Sequence, residues 1–231
     1  MELNIKDLNK SYGDKEVLKD INFTFKNNKI YGLIGRNGAG KTTFFNSLNE
    51  DVEINSGTMT IDGEKLNCND IGYVLSTPIV PEFLTAKEFL TFFLETHKDT
   101  IKDIKDLDYY FDLVSIDKSD QDKLLKDYSH GMRNKMQLLI NVISNTKIIL
   151  LDEPLVSLDV LAQESIKKLL QDLKKDHIII FSTHILEIAL DICDDIVLLK
   201  DKHFEEIKKS NLGTKKYKDK ILAALKEEEN V

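Results

Sequence analysis

The spacing of apolar and polar positions changes twice along this chain and divides it into three stretches. In the first, apolar residues alternate with polar ones. Leu3, Ile5 and Asn9 bracket a weak alternation, and Ile21, Phe23 and Phe25 alternate cleanly. An apolar run over residues 29–34 ends in glycine, residues 58–61 lead into the turn pair Asp62-Gly63, and residues 71–75 are again apolar. All of these predict short strands. From about residue 83 to 145 the period becomes helical, with no glycine before Gly131. Leu84, Phe89, Leu90, Phe93 and Leu94 share one helical face, and Leu107, Tyr110, Phe111 and Val114 share another. Periodicity alone reads this block equally well as an inserted helical subdomain or as core helices of one domain. In the last stretch, apolar strands at 148–151, 178–181 and 196–199 alternate with helical segments at 161–173 and 185–190, and a charged amphipathic helix is expected over 215–231. Strands separated by helices of that length predict a parallel sheet covered on both faces.

Composition narrows the setting. The chain has 231 residues, 42% of them hydrophobic, yet its longest purely apolar run is five residues, 221–225. A membrane-spanning helix needs about 20, so none is expected. The first ten residues, MELNIKDLNK, lack the apolar core of an export signal. The two cysteines, Cys68 and Cys193, form neither a disulfide framework nor a metal-binding spacing, which fits a reducing compartment. A net charge of -8 opposes broad nucleic-acid binding, which usually shows a basic excess.

Two segments carry chemistry. Residues 35–43 read Gly35-Arg36-Asn37-Gly38-Ala39-Gly40-Lys41-Thr42-Thr43. A strand is expected before them and a helix, residues 42–48, after them. This is the context in which such a loop wraps phosphates with inward-pointing N–H groups. The helix N-terminus adds partial positive charge. Lys41 is placed to neutralise β- and γ-phosphate charge, and the Thr42 hydroxyl to meet Mg²⁺. Residues 148–154 form an aliphatic strand that ends in two consecutive carboxylates, Asp152 and Glu153. In a phosphate-loop protein the strand-end aspartate serves Mg²⁺, and the next acid can sit beside the γ-phosphate and polarise a water.

With the phosphate loop and the acidic strand end in place, the chain resembles the ATPase subunit of an ATP-binding cassette (ABC) protein over nearly its whole length. Tyr128-Ser129-His130-Gly131-Met132 resembles the family signature, Ser157-Leu158-Asp159 its D-loop, Ser182-Thr183-His184 the segment carrying its switch histidine, and Tyr12 the aromatic that stacks on adenine. The resemblance implies one domain over 1–231. It would be an α/β P-loop NTPase (RecA-like) core with an N-terminal antiparallel β subdomain and an α-helical subdomain, about 83–145, inserted between the two parts of the core. It implies ATP and Mg²⁺ as ligands. Catalysis would fall to Glu153, His184 and Lys41. ATP would be held by Tyr12, by the loop from Gly35 to Thr43 and, across an interface between two such subunits, by Ser129, Gly131 and Asp159. The metal would be held by Thr42, Asp152 and Ser76.

The resemblance further implies integral-membrane permease subunits and a second ATP-binding subunit as partners, with the chain peripheral on the cytoplasmic face of the membrane. Its short length and its signature resemble exporter-type subunits more than importer ones. Two departures stand out. His130 and Met132 replace the Gly and Gln of the signature. No glutamine precedes Gln121, so Ser76 or Thr77 stands where the family usually has a glutamine at a strand end. That loop also senses the transport partner in the family. Its extension, with Pro78, Ile79, Val80, Pro81 and Phe83, is apolar enough to receive a helix of a membrane subunit or to fold onto its own core. A soluble, non-transport ABC ATPase and a poorly hydrolysing nucleotide-binding switch remain as alternative functions.

Overall fold

The computed structural model describes residues 1–101, 103–155, 160–208, 219 and 221. The expected D-loop, with Asp159, and the expected C-terminal helix lie outside these residues, apart from Asp219 and Ile221.

The chain opens with two long antiparallel strands, β1 (Glu2–Tyr12) and β2 (Lys15–Lys26). The alternation of β1 is weak in sequence because its phase shifts. Leu3, Ile5 and Leu8 are all buried, so the inward face passes from odd to even positions. The shift falls at Asp7, whose φ is +49°, opposite a matching irregularity at Asp20, φ +45°. Side-chain amides secure the pair: Asn22 Oδ1 accepts the Asp7 N–H at 3.1 Å and Asn9 Oδ1 accepts the Asp20 N–H at 2.9 Å. Such bulges bend a ribbon and strengthen its twist.

β3 (Ile30–Ile34) is buried throughout and leads through the glycine-rich loop into α1 (Lys41–Leu48). Next come β4 (Ser56–Ile61), the short β5 (Glu64–Lys65) and β6 (Ile71–Val74). The helical block resolves into α2 (Ala86–Thr96), α3 (Leu107–Leu113), α4 (Lys118–Gln121) and α5 (His130–Ile143). Thr85 and Glu88 form a reciprocal capping box at the start of α2. β7 (Ile148–Asp152), α6 (Val160–Leu173), β8 (Ile178–Thr183), α7 (Leu186–Ile192), β9 (Asp195–Lys200) and β10 (His203–Lys208) complete the described elements. The expected α/β organisation is present. β5 and β10 were not expected: one is two residues long, and the other, His-Phe-Glu-Glu-Ile-Lys, carries too few apolar positions to show a period.

Two sheets form. The first is antiparallel, in the order β2-β1-β4-β5. The second runs β10-β9-β3-β8-β7-β6, parallel throughout except for the edge strand β10. The pleat of the second sheet sends alternate residues to two cores. Leu150, Ile178, Ile180 and Val197 face the first sheet and enclose Phe44, Phe45 and Leu48 of α1. Ile149, Leu151, Ile179, Phe181 and Leu198 face the helical layer, where they pack with Leu90, Phe111, Met136 and Leu139. Helix α1 is thus held between the sheets, and Phe44 stacks edge-on against Phe204 at 4.8 Å. The loop before α1 opens at the end of the parallel strands, where ligands bind in open α/β sheets.

Candidate functional site

A cleft of about 510 Å³ opens at the ends of β3 and β7. Asn37, Gly38, Gly40, Lys41, Thr42 and Thr43 form one wall. Asp152 and Glu153 lie on its floor, Tyr12, Lys15 and Val17 reach it from the first sheet, and Ser76 and His130 from the helical side.

The glycine-rich loop takes its shape from Gly40, which precedes α1 with φ +111°. A Cβ there would lie 2.9 Å from Val17 Cγ1, so both the backbone and the space require glycine. The Lys41 side chain folds back beneath the loop, only 6% exposed. Its ammonium donates to the carbonyl of Gly35 at 2.6 Å and of Arg36 at 3.1 Å. Burial pushes its pKa down, while the nearby Glu153 and Asp152 carboxylates push it up. The net shift is downward, because burial outweighs the two carboxylates.

The floor is built by two neighbouring strands. Asp152, at the end of β7, accepts from Thr42 Oγ1 at 3.0 Å through one oxygen and from Ser182 Oγ of β8 at 2.5 Å through the other. Ser182 also accepts the Glu153 N–H at 3.1 Å, fixing the backbone where Glu153 takes φ +50°. A positive φ on glutamate is uncommon and marks a constrained position. Its carboxylate faces His184 Nδ1, at 2.9 and 2.7 Å from its two oxygens, and stands 3.9 Å from Lys41 Nζ. Lys41, Thr42, Asp152, Glu153 and His184 therefore form one connected set.

Tyr12 stands exposed at the far end of the cleft. Lys10 Nζ lies 4.5 Å from its ring centroid while donating to the Glu53 carbonyl at 2.6 Å, so one face of the ring is backed by a tethered cation.

The signature-like segment divides. Ser129 caps α5, accepting the Met132 N–H at 3.2 Å, and does not line the cleft of its own chain. Its neighbour His130 does. Gly131 sits half-buried in the first turn of α5. Gly35, Arg36 and Ala39 do not line the cleft; the Gly35 and Arg36 carbonyls accept from Lys41, and the Ala39 N–H donates to the Arg36 carbonyl at 3.2 Å. Of Ser76 and Thr77, the two residues offered in place of a strand-end glutamine, Ser76 lines the cleft and Thr77 does not. Lys15, Val17 and the clamping role of Ser182 were not foreseen. The first two carry no motif, and the third becomes visible only once β7 and β8 are neighbours.

Residues 18–156 match the family model described as ABC transporter. The chain is 31% identical to the ABC transporter ATP-binding protein YxlF of Bacillus subtilis, over 97% of this chain and 80% of that one. It is 31% identical to the lipopolysaccharide export system ATP-binding protein LptB of Haemophilus influenzae, over 83% and 84%. Among solved structures, the dimeric post-hydrolysis state of the ATP-binding cassette MJ0796, bound to ADP and Pi, superposes with a TM-score of 0.77, covering 90% of this chain and 98% of that one at 22% identity.

Proposed function

The chain belongs to the ABC transporter family as an ATP-binding, ATP-hydrolysing subunit of a membrane transporter, and from that premise we propose how its cleft works and what it works with. The observation that carries the reading is the convergence of Lys41, Thr42, Asp152 and Glu153 on one cleft, with His184 held against the Glu153 carboxylate. The loop from Gly35 to Thr43 wraps the phosphates of ATP, with the N-terminus of α1 aimed at them. Lys41 meets their charge, and Tyr12 offers its open face to the base. Glu153 orients the attacking water and takes its proton, and His184 holds that carboxylate in position.

Mg²⁺ fits the donors present. The Thr42 hydroxyl and the Asp152 carboxylate are hard oxygens 3.0 Å apart, with the second carboxylate oxygen occupied by Ser182. When bound there, the cation neutralises phosphate charge as it redistributes during transfer. Ser76 lies within reach of the same space, and its short hydroxyl acts through water.

Ser129, Gly131 and Asp159 serve a nucleotide held by a second ATP-binding subunit. In support, Ser129 heads a 14-residue helix yet does not line its own chain's cleft. The test is the solution mass of Glu153→Gln protein by light scattering. Adding ATP is expected to shift it from monomer to dimer. A mass that stays monomeric while ATP binds would assign the second site to a different partner chain.

Among the described residues no helix is long and apolar enough to cross a membrane, and the partners proposed for the chain are integral-membrane permease subunits. The docking site for them is the loop before α2. Val80 tucks into the helical core, whereas Ile79 and Phe83 are 74% and 78% exposed. Exposed apolar surface of this kind marks contact sites, and a permease docked on this loop would place the subunit on the cytoplasmic face of the membrane. Phe83→Asp is expected to weaken co-purification with the permease subunits by about tenfold and to leave ATP affinity unchanged. An equal fall in ATP affinity would reassign the loop to the nucleotide site.

A further inference from the structure

Strand β6 leaves the sheet at Val74, the last residue paired with β7. The next backbone donor, the Leu75 N–H, has left the ladder and requires an acceptor. It finds Gln137 Oε1, in the middle of α5, at 3.2 Å. One turn further along α5, Asn141 Nδ2 reaches the Tyr73 carbonyl at 3.5 Å and the Gln137 carbonyl at 2.8 Å. The helix can lie this close because residue 72 is glycine. A Cβ there would stand 2.9 Å from Asn141 Oδ1 and 2.8 Å from Thr146 Oγ1. Asn134 shares this side of α5, three residues before Gln137. It is 2% exposed, and its Oδ1 has no donor among the described residues. The face of α5 that meets the end of β6 is therefore polar, where a helix packed on a sheet is ordinarily apolar.

The placement matters because Leu75 is joined directly to Ser76, which lines the phosphate cleft with Thr42, Asp152 and Glu153. A serine hydroxyl sits close to its backbone, so its reach into the cleft is set by where the peptide lies. The only side-chain acceptor on that peptide segment among the described bonds is Gln137. The same helix begins at His130, which also lines the cleft.

We infer that Gln137 is a positioning residue for ATP hydrolysis: it holds the Leu75 peptide and thereby sets the Ser76 hydroxyl at the phosphate cleft, tying that loop to the helix that carries Ser129 and His130. The inference rests on the proposed role of Ser76 in the cleft. It makes a glutamine on α5 determine the position of a side chain on a loop whose bonded amide lies 62 residues earlier.

The test uses the full chain with Gln137→Leu, which removes the acceptor at similar size, Gln137→Glu, which keeps an acceptor, Ser76→Ala, and the Gln137→Leu/Ser76→Ala pair. Gln137→Leu is expected to lower kcat roughly tenfold while leaving KM and the affinity for a fluorescent ADP analogue within about twofold. Gln137→Glu is expected to recover most of that loss. Exchange of the Leu75 amide hydrogen should quicken roughly fivefold in Gln137→Leu and not in Gln137→Glu. The double variant should be no slower than the slower single one, because both changes remove the same positioned hydroxyl. If Ser76→Ala is slow and Gln137→Leu is not, or if the two losses multiply, Gln137 does not act through Ser76 and the inference is overturned. If Ser76→Ala retains full activity, the reading of Ser76 itself fails and the inference falls with it.

Discussion

Glu153→Gln is expected to lower ATP turnover by about 10²–10⁴-fold, the usual contribution of a positioned general base, while leaving ATP affinity within a few-fold. Glutamine matches the shape of glutamate and keeps an oxygen that can face His184 Nδ1, now 2.7–2.9 Å from the carboxylate. It cannot accept a proton from water at neutral pH. Ser182, which holds the Glu153 N–H, and the φ of +50° are properties of the backbone and survive the exchange. Single-turnover kinetics alongside an equilibrium ATP titration separate the two effects. If affinity falls in step with turnover, Glu153 holds nucleotide rather than orienting water.

Lys41→Ala acts on the other quantity. Removing one member of a buried, hydrogen-bonded charge interaction costs about 2–5 kcal/mol, so ATP affinity is expected to fall by at least about 30-fold. The cause is visible without ligand. The ammonium is buried beneath the loop, its pKa lowered by burial against the opposing pull of Glu153 and Asp152. Because the folded-state pKa lies below the ordinary 10.5, the unfolded chain binds more protons between the two values. Stability therefore rises with pH across that window, and at neutral pH the charged lysine costs the folded state. Bound phosphate offsets that cost, so ATP should raise the melting temperature of the native protein and do so far less in Lys41→Ala. Isothermal titration and thermal melts check both. Undiminished affinity would mean that the loop N–H groups alone carry phosphate binding.

What could be read from sequence was local. The loop from Gly35 to Thr43 and the pair Asp152-Glu153 each carry their chemistry within a few consecutive residues, next to strands whose apolar runs are unmistakable. The resemblance added Tyr12, Ser129 and His184, which alone are an ordinary tyrosine, serine and histidine. What stayed hidden was relational. Ser182 clamps Asp152 only because β8 lies beside β7. Gln137 meets Leu75 only because α5 crosses the end of β6, and Gly72, which permits the crossing, looks like any glycine in a strand. The weak alternation of β1 hid a strand of eleven residues, because a bulge at Asp7 inverts its phase midway. Periodicity searches assume a constant phase, and this strand does not have one.

The turn between β9 and β10 fastens the first sheet to the second. The Lys19 N–H donates to the Lys202 carbonyl at 3.0 Å, and the Lys202 ammonium pairs with Glu16 at 3.0 Å. Both residues of the first sheet belong to β2, the strand that begins three positions after Tyr12. With α1 packed between the sheets, the aromatic end of the cleft and its phosphate end are mounted on a common frame. On the proposed reading, a nucleotide that stacks on Tyr12 and fills the phosphate loop has to span that fixed distance from base to terminal phosphates. Ser76 and His130 complete the cleft from the helical side.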